Sequence, residues 1–180
     1  MCGPGWIHAY TDPLLAVIFN PIHANIKSPA LWESEGDVGL NDRGVKVGCL
    51  SLTTLRVIPL PEVSTTQRVA FGVLCAIRVY QDPKFCKWAN GWLAGTDRTA
   101  AAADAANAAA YAAAYAAYAN AANAANAAYA AAYAAAYAYA NAANAAYANA
   151  AYAAANAAAY AYANACDLIG LARQAMEVLP

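Results

Sequence analysis

The sequence has few histidines, and its cysteines lack the spacing of a metal site. His8 and His23 are the only histidines, and neither has a carboxylate or a cysteine at metal-ligand spacing. The five cysteines include no Cys-x-x-Cys pair, which indicates reduced thiols rather than a metal site or a disulfide framework. We therefore expect no metal and no cofactor.

The sequence also lacks an excess of charge of either sign. Its 10 Lys and Arg residues are balanced by 11 Asp and Glu residues, and no basic cluster is present to displace counterions from a phosphate backbone. The N-terminus lacks the basic segment and long apolar run of a signal peptide, and Asn interrupts every stretch of the roughly 20 residues that a membrane span needs. These absences predict a cytoplasmic protein that binds neither nucleic acid nor membrane.

Glycine and proline are missing between Thr96 and Leu168, where Ala predominates and the remaining residues are mostly Tyr and Asn. Ala is the best helix former, and Tyr and Asn each cost only roughly 0.5 kcal/mol relative to it. This composition predicts helix, either as one rod of about 100 Å or as several short antiparallel helices. No charge lies between Asp104 and Asp167, so we expect the Ala faces to be buried.

Tyr and Asn recur mostly three or four residues apart along this tract, a spacing that places them on one side of a helix. In a structural interpretation, Tyr rings fill the core of an Ala-lined bundle and Asn amides bond their hydroxyls. In a functional interpretation, the same stripe is a surface that binds a protein partner or a second copy of the chain. The candidate binding residues are Tyr111, Tyr115, Tyr118, Asn123, Asn126, Tyr129, Tyr133, Tyr137, Asn141 and Asn144.

Residues 1–62 predict a small head with an antiparallel sheet of three or four strands and one helix. Asp12-Pro13 is an N-cap followed by proline at the first helical position, so a short helix should run from Leu14 to about Asn20 and stop at Pro21. The predicted strands are 6–10, 30–35, 45–52 and 54–59, with a turn at 41–44.

Residues 63–95 predict two connecting helices. Ser64-Thr65-Thr66-Gln67 has the form of a capping box before an apolar run of helical period, and Asp82-Pro83 repeats the arrangement of a cap followed by proline. Residues 96–180 form the third predicted region, which comprises the Ala-rich tract and an amphipathic helix over Asp167–Leu179. The expected fold class is therefore α+β but mostly α, with a small N-terminal sheet and helix followed by an Ala-rich bundle or long helix.

Two stretches carry a resemblance to known proteins. Gly5–Leu14, and Trp92–Thr99 with its Trp-Leu-x-Gly-x-Asp-Arg order, resemble uncharacterised phage and prophage proteins that have an Ala-rich tail. That resemblance implies a non-enzymatic accessory protein whose helices bind another protein or self-assemble, and inhibition of a host defence complex would fit such a role.

The head offers an alternative from a different class of function. The order of His8, a helix and Leu31–Glu35 is similar to part of ADP-ribosyltransferase-like domains, which implies a small transferase or nucleotide-binding head with the helices as scaffold. His8, Glu33 and Glu35 would then carry the activity. Because Glu33, Glu35 and Asp37 alternate along a predicted strand, a solvated sheet face explains these carboxylates more simply.

Overall fold

The computed structural model describes residues 5–23, 26–103 and 166–179. The chain divides into two compact units, Met1–Glu62 and Val63–Pro180. Of the described residues, 43% are helical and 27% lie in strands. The prediction of a mostly α chain is therefore wrong, because the strands of the first unit are longer than the sequence pattern indicated. The Ala-rich rod or bundle lies outside the described residues.

The first unit is a three-stranded antiparallel sheet with one helix. Strand β1 is Ile7–Tyr10, helix α1 is Pro13–His23, strand β2 is Leu31–Asp42 and strand β3 is Lys46–Ile58. The strand order is β1-β3-β2, so the longest strand lies in the middle.

Helix α1 begins at the predicted cap. The Asp12 carboxylate accepts a hydrogen bond from the backbone N–H of Leu14 at 2.8 Å, and Pro13 is the first helical residue. The predicted stop at Pro21 is wrong, since the helix continues to His23. Pro21 is the third residue from the end of α1, where it removes one backbone hydrogen-bond donor.

Strands β2 and β3 meet at a tight turn. Arg43 and Gly44 both have positive φ, as the two central residues of a type I′ hairpin turn require, and Val45 N–H donates to the Asp42 carbonyl at 2.9 Å. The turn lies where the sequence predicted it. The strands on either side are longer than predicted, because the segments 45–52 and 54–59 join into one strand that passes through register shifts.

The core of the first unit lies where α1 meets the sheet. Leu15 and Ile18 are fully buried, and the ring of Phe19 stacks against Tyr10 with centroids 6.2 Å apart. On the sheet, Trp6 lies so close to Gly39 that a Cβ there would overlap its ring. A side chain at position 39 would therefore have to displace the Trp6 ring.

The second unit contains helices α2, Thr65–Val79, and α3, Pro83–Leu93, and the C-terminal helix Leu168–Met176, here α4. The capping box of α2 is confirmed: Gln67 N–H donates to Ser64 Oγ at 3.1 Å, and Ser64 N–H donates to Gln67 Oε1 at 2.9 Å. The Asp82 cap of α3 is also confirmed, with bonds of 2.9 Å from the N–H groups of Lys84 and Phe85.

Helix α4 packs against α2. Its buried residues recur at helical spacing, and the Gln67 side chain of α2 donates to the Met176 carbonyl at 3.1 Å. The core of this unit also holds a fully buried arginine, Arg68, which the sequence pattern did not predict to be inside. The other large, fully buried side chains are Trp92, Phe71, Val69, Val73 and Cys75.

Candidate functional site

The long hairpin of the first unit has an open edge. Strand β1 pairs only with the segment Lys46–Cys49 of β3, and β2 pairs with β3 along nearly its whole length. From Leu50 to Ile58, β3 is therefore bonded to a described strand on one side only. At about 3.3 Å per residue this edge is roughly 30 Å long. Such an edge presents a row of backbone N–H and C=O groups to which another strand can pair.

Large apolar side chains project from this hairpin into solvent. Trp32 of β2 lies directly opposite Val57 of β3, and their exposed fractions are 51% and 58%. Exposed apolar side chains that lie opposite each other, as Trp32 and Val57 do, are found at binding sites in soluble proteins. We call this set the ribbon surface, and its members are Trp32, Val38, Leu50, Leu55 and Val57.

Register shifts interrupt the pairing of the hairpin at three places. Glu33 pairs with Arg56 but Ser34 pairs with Thr54, so Leu55 is an extra residue on β3 with no partner opposite it. The two other shifts lie between Gly36 and Val38 and between Val38 and Leu40. Bulges of this kind bend a strand and increase its twist, and they are frequent at sheet edges and next to active sites.

The two outer edges of the hairpin differ in charge. Strand β2 carries Glu33, Glu35 and Asp37 along its middle, whereas the open segment of β3 carries Arg56 alone. Glu33 and Arg56 form an ion pair, but both side chains are largely exposed, which limits its worth to about 0–1 kcal/mol. The β2 edge therefore repels an acidic strand, while the β3 edge offers an almost uncharged one.

The residues of the predicted transferase site are not brought together. His8 pairs with Gly48 of β3, whereas Glu33 pairs with Arg56 and Glu35 with Thr53. Along β3 these positions place His8 about 26 Å from Glu33 and about 16 Å from Glu35, at roughly 3.3 Å per residue. His8, Glu33 and Glu35 are all exposed, and they do not form one pocket.

The residues predicted to bind a partner through the Tyr/Asn stripe lie outside the described residues. They are Tyr111, Tyr115, Tyr118, Asn123, Asn126, Tyr129, Tyr133, Tyr137, Asn141 and Asn144. The two interpretations of the stripe, core or binding surface, both stay predictions.

The Trp-Leu-x-Gly-x-Asp-Arg segment ends helix α3 in a Schellman motif. Thr96 N–H donates to the Gly91 carbonyl at 3.0 Å, Gly95 N–H donates to the Trp92 carbonyl at 3.1 Å, and Gly95 has a φ of 73°. Thr99 begins the next helical turn, where its Oγ1 accepts from Ala102 N–H at 3.3 Å. The motif is therefore explained by helix termination and initiation.

Arg98 completes this junction through contacts that the motif does not show. Its Nε donates to the Trp92 carbonyl at 3.1 Å, its Nη2 donates to the Leu179 carbonyl at 2.9 Å, and the guanidinium lies 5.0 Å from the centroid of the Trp92 ring. A cleft of about 420 Å³ opens beside it, lined in part by Glu177 and Val178. Because Arg98 donates to a carbonyl in the last turn of α3 and to another just after α4, we assign it a structural role.

The described thiols of the second unit are free, and two of them have a raised pKa. Burial raises the pKa of the Cys75 thiol well above its ordinary value; nearby Cys166 raises it further and Arg78 opposes the shift. Burial, with a contribution from Asp82, also raises the pKa of the Cys86 thiol. Cys49, Cys75, Cys86 and Cys166 are all free.

Within the part of the chain that the structure describes, no three His, Cys, Asp or Glu side chains are grouped as a metal site would require. The described helices are also too short or too polar to cross a lipid bilayer. No family model matches the chain, and no curated protein or solved structure is significantly similar to it. The resemblance to phage proteins thus stays a prediction from short motifs.

Proposed function

We propose that the protein works by binding another polypeptide, and that the polypeptide is a second copy of itself added along the β3 edge. The observation that carries the proposal is the open edge from Leu50 to Ile58, flanked by the exposed side chains of the ribbon surface. Strand addition supplies affinity through backbone hydrogen bonds and specificity through alternate side chains.

Charge favours a second copy at β3. In an antiparallel pair of β3 edges centred on Thr54, the two Arg56 side chains lie about four residues apart and face Leu52 rather than each other. The equivalent pair of β2 edges, centred on Glu35, would set Glu33 of one copy opposite Asp37 of the other. Like charges directly opposite are destabilising, so self-pairing selects β3.

The structure favours this binding function over the transferase alternative. His8, Glu33 and Glu35 are spread along the sheet by its register, so the three side chains have no common substrate position. A binding function needs no such convergence. An association with phage, and a host defence complex as a further target, remain proposals that rest on the resemblance of Gly5–Leu14 and Trp92–Thr99.

Light scattering coupled to size exclusion tests the proposal. We expect the wild-type chain to form a dimer whose fraction rises with concentration, and the double variant Leu55→Lys, Val57→Lys to be monomeric, since two lysines on the edge block strand addition. Asn90→Lys, an exposed change in the second unit, is the matched control and should leave the dimer intact.

Two outcomes would overturn the proposal. One is a wild-type chain that stays monomeric at every concentration at which it is soluble. The other is a dimer that persists in the Leu55→Lys, Val57→Lys variant while its circular dichroism matches the wild type, because the contact would then lie elsewhere in the chain.

A further inference from the structure

Two cysteines of the second unit lie at the same end of a helix pair. Helices α2 and α4 pack against each other, and the Gln67 side chain near the start of α2 bonds the Met176 carbonyl at the end of α4. This contact joins the start of α2 to the end of α4. If the two helices were parallel, the rest of α4 would lie before the start of α2 and could not pack along it. They therefore run antiparallel.

The helix rise then sets which residues are level with each other. Cys75 is eight residues after Gln67, and Leu168 is eight residues before Met176, so each lies about 12 Å along its helix from the shared contact. Cys166 is two residues beyond Leu168, immediately before the Asp167 cap of α4. An electrostatic effect also indicates that the two thiols are close, since a charge on Cys166 raises the pKa of the buried Cys75 thiol.

The two thiols differ in access to solvent. Cys75 is fully buried in α2, whereas Cys166 is partly exposed. A small oxidant from solvent therefore meets Cys166 first. Burial keeps the Cys75 thiol protonated, and the protonated thiol reacts poorly with an oxidant by itself.

We propose that Cys75 and Cys166 form a disulfide when the protein meets hydrogen peroxide, and that this bond fastens α4 to α2. The Cys166 thiolate attacks one peroxide oxygen and gives a sulfenic acid and hydroxide, which takes up a proton to become water. The Cys75 sulfur then attacks the Cys166 sulfur, loses its proton and displaces a second water. Two thiols are oxidised by two electrons, and one peroxide is reduced to two waters.

The bond would join positions about 90 residues apart, with the Ala-rich sequence between them. Crosslinks that close long loops restrict the unfolded chain most, so the oxidised protein should resist unfolding. We expect its thermal midpoint to rise by on the order of 10 °C and to return when a thiol reductant is added. This inference does not depend on the proposed binding function.

The experiment treats the full-length chain with hydrogen peroxide and maps the product by trypsin digestion without reduction. Trypsin places each cysteine on a different peptide, with Cys75 on residues 69–78, Cys86 on 85–87 and Cys166 on 99–173. The expected product is one linked pair of 69–78 with 99–173, lighter than the separate peptides by two hydrogens. Cys166→Ser should abolish both the linked pair and the rise in midpoint, and Cys86→Ser should keep both.

Several results would overturn the proposal. The first is a linked pair in which Cys86 or another thiol takes the place of Cys75. The second is oxidation of Cys166 to sulfinic acid without a link, and the third is a disulfide-bonded dimer through Cys166. The fourth is the expected link without a rise in the unfolding midpoint. Mass spectrometry separates the first three, and calorimetry of the mapped product decides the fourth.

Discussion

Replacing Arg98 with methionine should destabilise the second unit measurably. The change removes a hydrogen bond to the Trp92 carbonyl at 3.1 Å, another to the Leu179 carbonyl at 2.9 Å, and a cation–π contact with the Trp92 ring. It keeps most of the aliphatic stem, so the loss is confined to the guanidinium.

The expected magnitude follows from these contacts. A hydrogen bond from a charged group contributes about 1.5–3 kcal/mol, but the bond to Leu179 is exposed and is worth less. A partly exposed cation–π contact adds roughly 0.5–1 kcal/mol. We therefore expect Arg98→Met to lower the free energy of unfolding by about 2–3 kcal/mol, which moves a urea midpoint by about 1 M when the m-value is near 2 kcal/mol/M.

The assay is urea denaturation followed by tryptophan fluorescence. In a background with Trp6→Phe and Trp32→Phe, the remaining tryptophans, Trp88 and Trp92, both lie in the second unit and report on it alone. Lys87→Met removes an exposed positive charge from α3 and is the control, with an expected change within about 0.5 kcal/mol.

The reasoning about Arg98 would be refuted by a methionine variant as stable as the Lys87→Met control. Arg98→Lys provides a second check. The lysine ammonium lacks the planar, forked donors with which the guanidinium bonds two carbonyls, so lysine should recover only part of the lost free energy of unfolding. Full recovery with lysine would show that positive charge alone, and not the guanidinium geometry, stabilises the junction.

Two further predictions concern packing and pH. Gly39→Ala should displace the Trp6 ring, shift its fluorescence and lower the free energy of unfolding by about 1–3 kcal/mol. The exposed change Ser51→Ala is the control and should have none of these effects. An unshifted Trp6 spectrum in Gly39→Ala would contradict the close approach of Trp6 to Gly39. The Cys75 thiol has a raised pKa in the folded chain, so the stability it contributes is complete below the ordinary thiol value of 9.0 and is lost as pH rises above it, by up to about 1.4 kcal/mol per pH unit. Urea midpoints from pH 8 to pH 11 should therefore fall more steeply for the wild type than for Cys75→Ala, and equal slopes would argue against burial of this thiol.

The features that the sequence predicted correctly depend on contacts between near neighbours in the chain. Ser64 and Gln67 are three residues apart, Asp82 caps the residues that immediately follow it, and the turn at Arg43-Gly44 is closed by a bond between Asp42 and Val45. Each needs only one turn of backbone to form, so its residues can be identified locally.

The position of the open β3 edge is set by pairing between strands that are distant in the sequence. The pattern of β2 and β3 predicted strands but did not show that β1 would cover only Lys46–Cys49, or that Leu55 would be left without a partner. Register is chosen by how whole strands match across the sheet, and a shift of one residue exchanges the two faces. For the same reason the sequence could suggest His8 and Glu33 as one site, although the sheet holds them far apart.

The sequence by itself determined where helices α2, α3 and α4 begin, because a capping side chain bonds backbone groups within three residues of its own position. Only the tertiary structure decided which side chains meet across the chain. Arg98 reaches Leu179, and Cys75 lies near Cys166, because packed helices bring together residues that chain connectivity leaves free to be far apart. The physical reason is that closing a long loop costs chain entropy. Contacts between its ends form only when the burial of apolar side chains offsets that cost.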